Sequence, residues 1–239
     1  MSSGQSENTA ASPRWLPPFG WFTLLFVSVS QAFALLTSPP DRDMGELQKI
    51  MYVHVPAAWM AFLAFAVVGY YSVRYLATRK PAHDLLAFAA AEVGTVFTAL
   101  TIALGSIWGR PTWGVWWIWD PRLTTTAILL LIFAGYLALR AFTDDEERRA
   151  RWSAAVGILG ALNVPIVYMS VKWWRTIHQM QSTPSSMDTV YWRGLLLNAV
   201  AFLALFVFLV ASRYYLARLE RNLESRAEEQ ALMGGAVHV

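Results

Sequence analysis

The sequence predicts an all-α, polytopic membrane protein with six transmembrane helices. Three observations carry this. Of its 239 residues, 56% are hydrophobic and only 15% are charged, whereas a soluble domain is about 25% charged. Six apolar stretches recur, each near the roughly 20 residues that span a bilayer as a helix satisfying its own backbone. Lys and Arg concentrate in alternate connections.

The first stretch runs from Phe19 to about Thr37, and Pro39-Pro40 ends it. A Ser-rich start with Arg14 and no A-x-A site reads as an uncleaved signal-anchor helix. The second runs from about His54 to Tyr75, with Pro56 near its first turn, where a missing N–H matters least. The third spans about Leu85–Ile107 and the fourth about Leu123–Ala141. The fifth spans about Trp152–Val171, with Pro165 a kink site, and the sixth about Leu195–Tyr215. No internal repeat divides them. The chain reads as one integral membrane domain: an N-terminal tail of about 1–17, a bundle over about 19–215 and a C-terminal tail of about 216–239. The charged run Arg218–Glu229 reads as a solvated helical extension.

Placing the N-terminus inside puts 12 of the 19 Lys and Arg on inner segments. The other seven are Arg42, Lys49, Arg110, Arg122, Lys172, Arg175 and Arg193. The bias predicts both termini in the cytoplasm.

The 16 acids nearly balance the 19 bases, and no basic run suggests nucleic-acid binding. Without cysteine there is no disulfide, zinc finger, thiolate-ligated haem or iron–sulfur cluster. P-loop, HExxH and GxSxG motifs are missing, so any ATPase this chain works with is another subunit.

Eight of the 12 tryptophans fall on the outer face. Trp108, Trp113, Trp116, Trp117 and Trp119 lie in the connection between helices three and four, the last four of them bracketed by Pro111 and Pro121. Trp173, Trp174 and Trp192 lie between helices five and six. An interfacial belt would populate both faces. Trp113, Trp116 and Trp117 have i, i+3, i+4 spacing, which predicts a short helix with the three indoles on one side. Such a helix is either a headgroup anchor or a flat apolar platform for a flat apolar ligand.

Of the four histidines, His83 sits in an inner loop and His238 in the tail, both read as solvated. His54 and His178 share the outer face with the tryptophans. Imidazole is largely neutral near pH 7 and offers a lone pair without first losing a proton. Two such rings can ligate haem iron from opposite sides, and indoles pack well on a porphyrin. Arg110, Arg122, Lys172 and Arg175 are positional candidates for its carboxylates, Arg being the better clamp. Glu92, inside helix three, is a functional candidate by depth alone. The reading preferred for it is a carboxylate close enough to the inner interface to stay wet, or a protonated one bonded to a neighbouring helix. Gln31, Asn163 and Asn198 read as inter-helix hydrogen-bonding residues.

Trp113-Gly-Val-Trp-Trp-Ile-Trp-Asp120 resembles the WGxxWxWD signature of the haem-handling membrane proteins of cytochrome c biogenesis. The longer stretch Gly105–Thr124, the segment Ile50–Trp59 and the His178 loop resemble the CcmC branch of that family, so the resemblance covers most of the chain outside the tails. It implies that the Trp-rich loop holds haem b non-covalently at the periplasmic face of the bacterial inner membrane. It implies His54 and His178 as axial ligands of the iron. It also implies Trp108, Trp113, Gly114, Trp116, Trp117, Trp119 and Asp120 as haem-binding residues, to which Arg110 and Arg122 are added by position alone. The partners it implies are the haem chaperone CcmE, the ATPase CcmA, and the membrane subunits CcmB and CcmD. The expected role is binding and delivery by positioning, without a catalytic side chain of the chain's own. Asp120 is further expected to order its loop or to cap helix four. The alternatives are a haem permease, a holocytochrome c synthase-like subunit, and a purely structural subunit. Synthesis is disfavoured because no second histidine pair is available.

Overall fold

A computed structural model describes residues 13–235; residues 1–12 and His238 lie outside them. Six α-helices follow in order: α1 (Leu16–Thr37), α2 (Met51–Thr78), α3 (Pro81–Trp113), α4 (Pro121–Ala141), α5 (Glu146–Trp173) and α6 (Thr189–Gly235). A 3-10 turn over Glu46–Ile50 leads into α2. Each α-helix is long and apolar enough to cross a membrane, and no strand forms among the described residues. The predicted fold class is therefore observed, and the charged run after Arg218 continues α6 as a helix.

Local signals account for most boundaries. Proline occupies the first turn of α1, α3 and α4, where its missing N–H has no intrahelical partner to lose. Asp145 caps α5 by accepting the Arg148 N–H at 2.6 Å, as short acidic side chains do at helix starts. Pro56 lies inside α2, so the carbonyl four residues back, that of Tyr52, lacks its helical donor. Gln31 of α1 supplies one instead, donating Nε2–H to Tyr52 O at 3.1 Å. Asn198 of α6 likewise bonds Ser30 of α1, and Asn163 of α5 bonds Thr125 O of α4 at 3.1 Å. All three amides join helices, as expected.

The antiparallel pair α2–α3 forms the centre, linked by Arg79 and Lys80 alone, with Arg79 left-handed at φ 55°. α2 also packs on α5 and α6, α1 lies outside against α6, and α4 lies against α5 and α3. Close approach rests on small residues. Ala57, Ala61 and Ala64 of α2 are buried with Ala87, Ala90 and Ala91 of α3. A Cβ at Gly94 would stand 2.7 Å from that of Ala64, so only glycine allows this spacing. Phe65 and Phe133 stack at 3.7 Å beside this seam. The outward apolar side chains, such as Trp21, Leu25 and Leu36 of α1 and Leu131 of α4, suit acyl chains rather than water.

Towards the inner ends, α3 carries Asp84, Phe88 and Glu92 at helical spacing, on one face. Arg140 of α4 makes two hydrogen bonds to Asp84, at 2.6 and 2.9 Å. Arg213 of α6 pairs with Glu92. Phe88 lies between the two guanidinium groups, 4.4 Å from Arg140 and 4.9 Å from Arg213. Glu92 is thus bonded to a neighbouring helix, in agreement with the structural reading of the sequence.

Candidate functional site

At the opposite end of the bundle, the α1–α2 connection, the end of α3, the start of α4 and the α5–α6 connection surround one cavity. It measures about 1320 Å³, counting the space at its open mouth. Its deeper wall is Phe62, Thr98, Ile102 and Leu129, so it descends between the helices. Its upper wall carries His54, Trp108, Trp113, Trp117, Arg122 and His178.

Helix α3 is the scaffold. Its predicted end near Ile107 is corrected: it runs to Trp113, so Trp108, Arg110 and Trp113 stand on a helix rather than in a loop. Pro111 does not stop it. Gly114 does, with φ 80° and its N–H bonded to Arg110 O at 3.1 Å, a left-handed stop that glycine adopts without steric penalty. The predicted short helix over Trp113, Trp116 and Trp117 does not form, because this turn falls between the first and second indole. The chain is irregular from Gly114 to Asp120, and the three side chains diverge. Trp113 and Trp117 face the cavity. Trp116 is 60% exposed and Trp119 77% exposed, both outside it.

His54 sits in the first turn of α2. Its ring meets Trp108 edge-on, with centroids 5.8 Å apart. Nδ1 of His54 and Nε1 of Trp108 are buried without a hydrogen-bond partner among the described residues. Unpaired buried polar atoms are uncommon and call for a reason. Gly105 makes room for this histidine: a Cβ there would lie 3.2 Å from His54 Cε1. One turn on, Gly109 does the same for Trp113, whose ring a Cβ would meet at 3.0 Å. The imidazole and the indole thus rest on a glycine stripe of α3. Sequence reading missed these two glycines, although their four-residue spacing ahead of Trp113 is a visible cue.

His178 comes from the irregular connection after α5 and lies 6.1 Å from Trp113, centroid to centroid. Its Nδ1–H donates to Gln179 O at 2.8 Å, which leaves Nε2 as the nitrogen with a free lone pair. Burial pulls its pKa below the ordinary 6.5. The nearby Arg122 acts in the same direction, while the Gln179 bond and Asp120 oppose. The neutral form of His178 is therefore favoured beyond that of a free imidazole. Its ring is expected to protonate below the ordinary 6.5, as an NMR pH titration of the ring protons checks; a midpoint above 6.5 would contradict it.

Asp120 is only 5% exposed. It caps α4, accepting the Arg122 N–H at 2.8 Å, and it also binds the α5–α6 connection. Thr176 Oγ1–H and Ile177 N–H donate to its two oxygens at 2.8 and 2.9 Å. The capping role expected for Asp120 is present; in place of ordering its own loop, the carboxylate ties down the α5–α6 connection. Of the four candidate cations, Arg122 alone lines the cavity. It donates to Val167 O at 2.6 Å and lies 5.7 Å from the Phe62 ring. Arg110 is exposed and donates to Gly114 O at 2.6 Å, closing the end of α3 rather than reaching the cavity. Met44, unremarked in the sequence, lines it from the α1–α2 connection.

Comparison with known proteins agrees with this architecture. A family model described as CcmC, heme exporter protein C, matches residues 3–229. The heme exporter protein C of Bradyrhizobium diazoefficiens is 38% identical over 226 residues, 93% of this chain and 86% of the relative. That of Haemophilus influenzae is 34% identical over 210 residues, 86% of this chain and 85% of the relative. A putative cytochrome c biosynthesis ccmC-like mitochondrial protein of Marchantia polymorpha is 38% identical over 165 residues, 69% of this chain and 68% of the relative. With six membrane-spanning helices and a family match over nearly its whole length, the chain belongs to the CcmC family, that of heme exporter protein C.

Proposed function

We propose that this multi-pass membrane protein handles haem in cytochrome c maturation. It binds haem b non-covalently in the outer cavity, with His54 and His178 as axial ligands, and presents it to the chaperone CcmE. The observation that carries this reading is the convergence of the two histidines, from distant parts of the chain, on one indole-lined cavity. The donor set fits iron porphyrin. Two imidazoles supply nitrogen ligands, Trp108, Trp113 and Trp117 supply apolar faces, and Arg122 supplies a cation for a propionate. His54 Nδ1, buried and unpaired, gains a role in such a complex. Haem is cargo here, and the chain's contribution is to bind and orient it so that a partner's nucleophile meets a fixed edge. No catalytic side chain of its own is needed. CcmA, CcmB and CcmD are the further subunits that the family suggests, and the Lys and Arg bias supports a periplasmic cavity on an inner-membrane protein.

The direct test is spectroscopic. Protein purified with haem is expected to lose haem affinity by at least about tenfold in His54→Ala and His178→Ala, with a shifted Soret band, since losing even a group that supports a ligand costs about 10–100-fold. Trp116→Ala, altered outside the cavity, is expected to keep haem and to load the chaperone poorly. Unchanged spectra and loading in all three would leave the structural-subunit reading standing.

A further inference from the structure

We infer that Asp120 and Thr176 form a latch that positions His178, so that the aspartate ending the Trp-rich loop acts through the histidine rather than by touching the ligand. The inference deepens the proposed haem site and rests on His178 being an axial ligand.

The α5–α6 connection, residues 174–188, has no regular secondary structure, yet it must hold one imidazole at a set place. Its ties are few. Thr176 Oγ1–H and Ile177 N–H both donate to the Asp120 carboxylate, at 2.8 and 2.9 Å. The same Thr176 hydroxyl oxygen accepts the backbone N–H of His178 at 3.0 Å. One hydroxyl thus joins the carboxylate to the histidine's own backbone. Asp120 is itself fixed, since it is buried and caps α4 through the Arg122 N–H. A second tether lies farther along, where Gln181 Nε2–H donates to Tyr168 O at 2.7 Å. It secures the loop beyond His178 but leaves the approach from α5 to the latch.

The residue types match the task. A carboxylate accepts several hydrogen bonds at once, and bonds to a charged acceptor are the stronger kind. Threonine is both donor and acceptor, which the relay requires. A ligand ring held from behind by second-layer hydrogen bonds keeps its orientation, and loss of such support typically weakens metal binding by about 10–100-fold. The simpler role, a cap for α4, explains the Arg122 bond but not the two bonds to Thr176 and Ile177.

Thr176→Val separates the two roles, because it removes the relay while the cap on α4 and the imidazole side chain itself are kept. Thr176→Ser keeps the hydroxyl, and Asp120→Asn keeps the size while turning an acceptor towards Ile177 N–H into a donor. Full-length protein loaded with haem is the sample, and the readouts are the coordination signature in the visible spectrum and the haem dissociation rate. In Thr176→Val and Asp120→Asn, haem is expected to dissociate about tenfold faster with a spectrum shifted towards that of His178→Ala. Added imidazole should restore the native signature, and Thr176→Ser should match the parent. Parent-like spectra and rates in Thr176→Val, beside an altered His178→Ala, overturn the latch and leave the ligand assignment intact. An unaltered His178→Ala overturns the ligand assignment, and the latch with it. Should Asp120→Asn fail to accumulate, the Thr176 pair alone decides.

Discussion

Gly105→Leu is expected to weaken haem binding about a hundredfold while leaving the six-helix bundle folded. Position 105 is helical, so leucine meets no backbone penalty there. A Cβ alone would press on the His54 ring at 3.2 Å. The remaining leucine atoms must displace that ring or fill the cavity beside it. Both effects act on the same ligand, and a loss of about a hundredfold in haem affinity corresponds to about 2.8 kcal/mol, within the 1–3 kcal/mol typical of forced overpacking. Gly105→Ala, which asks the imidazole to move only slightly, should show a much smaller loss. Haem titration of detergent-purified protein, with gel filtration and circular dichroism as controls for folding, makes the measurement. Full haem occupancy in Gly105→Leu would mean that His54 is not held against α3 when the ligand is bound.

Asp84→Ala is expected to produce a large loss of stability. The side chains of Arg140 and Asp84 are 7% and 12% exposed, so removing the acid strands a guanidinium in an apolar place. Breaking a buried pair by deleting one partner costs about 3–5 kcal/mol, a large share of the roughly 5–15 kcal/mol that keeps a domain folded. Thermal unfolding in detergent should therefore shift strongly downward, and membrane accumulation should fall. The double variant Asp84→Ala with Arg140→Met should recover part of the loss, because the stranded charge is gone. Glu92→Gln should be milder, since it keeps the side chain's size and hydrogen-bonding capacity and the Glu92 side chain is 31% exposed. An Asp84→Ala protein as stable as the parent would show that the Phe88 and Tyr136 rings suffice to hold Arg140.

Much of this was readable from residue order, for physical reasons that differ by element. The six spans were legible because a bilayer imposes one length and one polarity on every crossing segment. Their ends were not. α3 continues through Trp108, Arg110 and Pro111 to Trp113, because helix geometry does not stop where the hydrocarbon does. His54, His178 and Asp120 stood out by residue type and face. The divergence of Trp116 and Trp119 from Trp117 was hidden, because Gly114 resets the helical phase and one left-handed residue redirects all that follow. Thr176 was hidden for another reason. Its importance lies in what stands opposite it, 56 residues away for the Thr176–Asp120 bond, and no local pattern encodes that.

The Arg79–Lys80 connection between α2 and α3 has a consequence for the order of assembly. Closing so short a link costs little chain entropy, and pairing that is local along the chain forms quickly. His54, Gly105, Trp108 and Trp113 all belong to this one hairpin, so half of the cavity wall can be complete before the rest of the chain is synthesised. The opposing half, Asp120 with the His178 segment, must wait for α5 to insert. A nascent chain would therefore display an unfinished shelf before it owns a closed pocket, and competence to retain cargo should switch on late, in a single step, as the last loop falls into place.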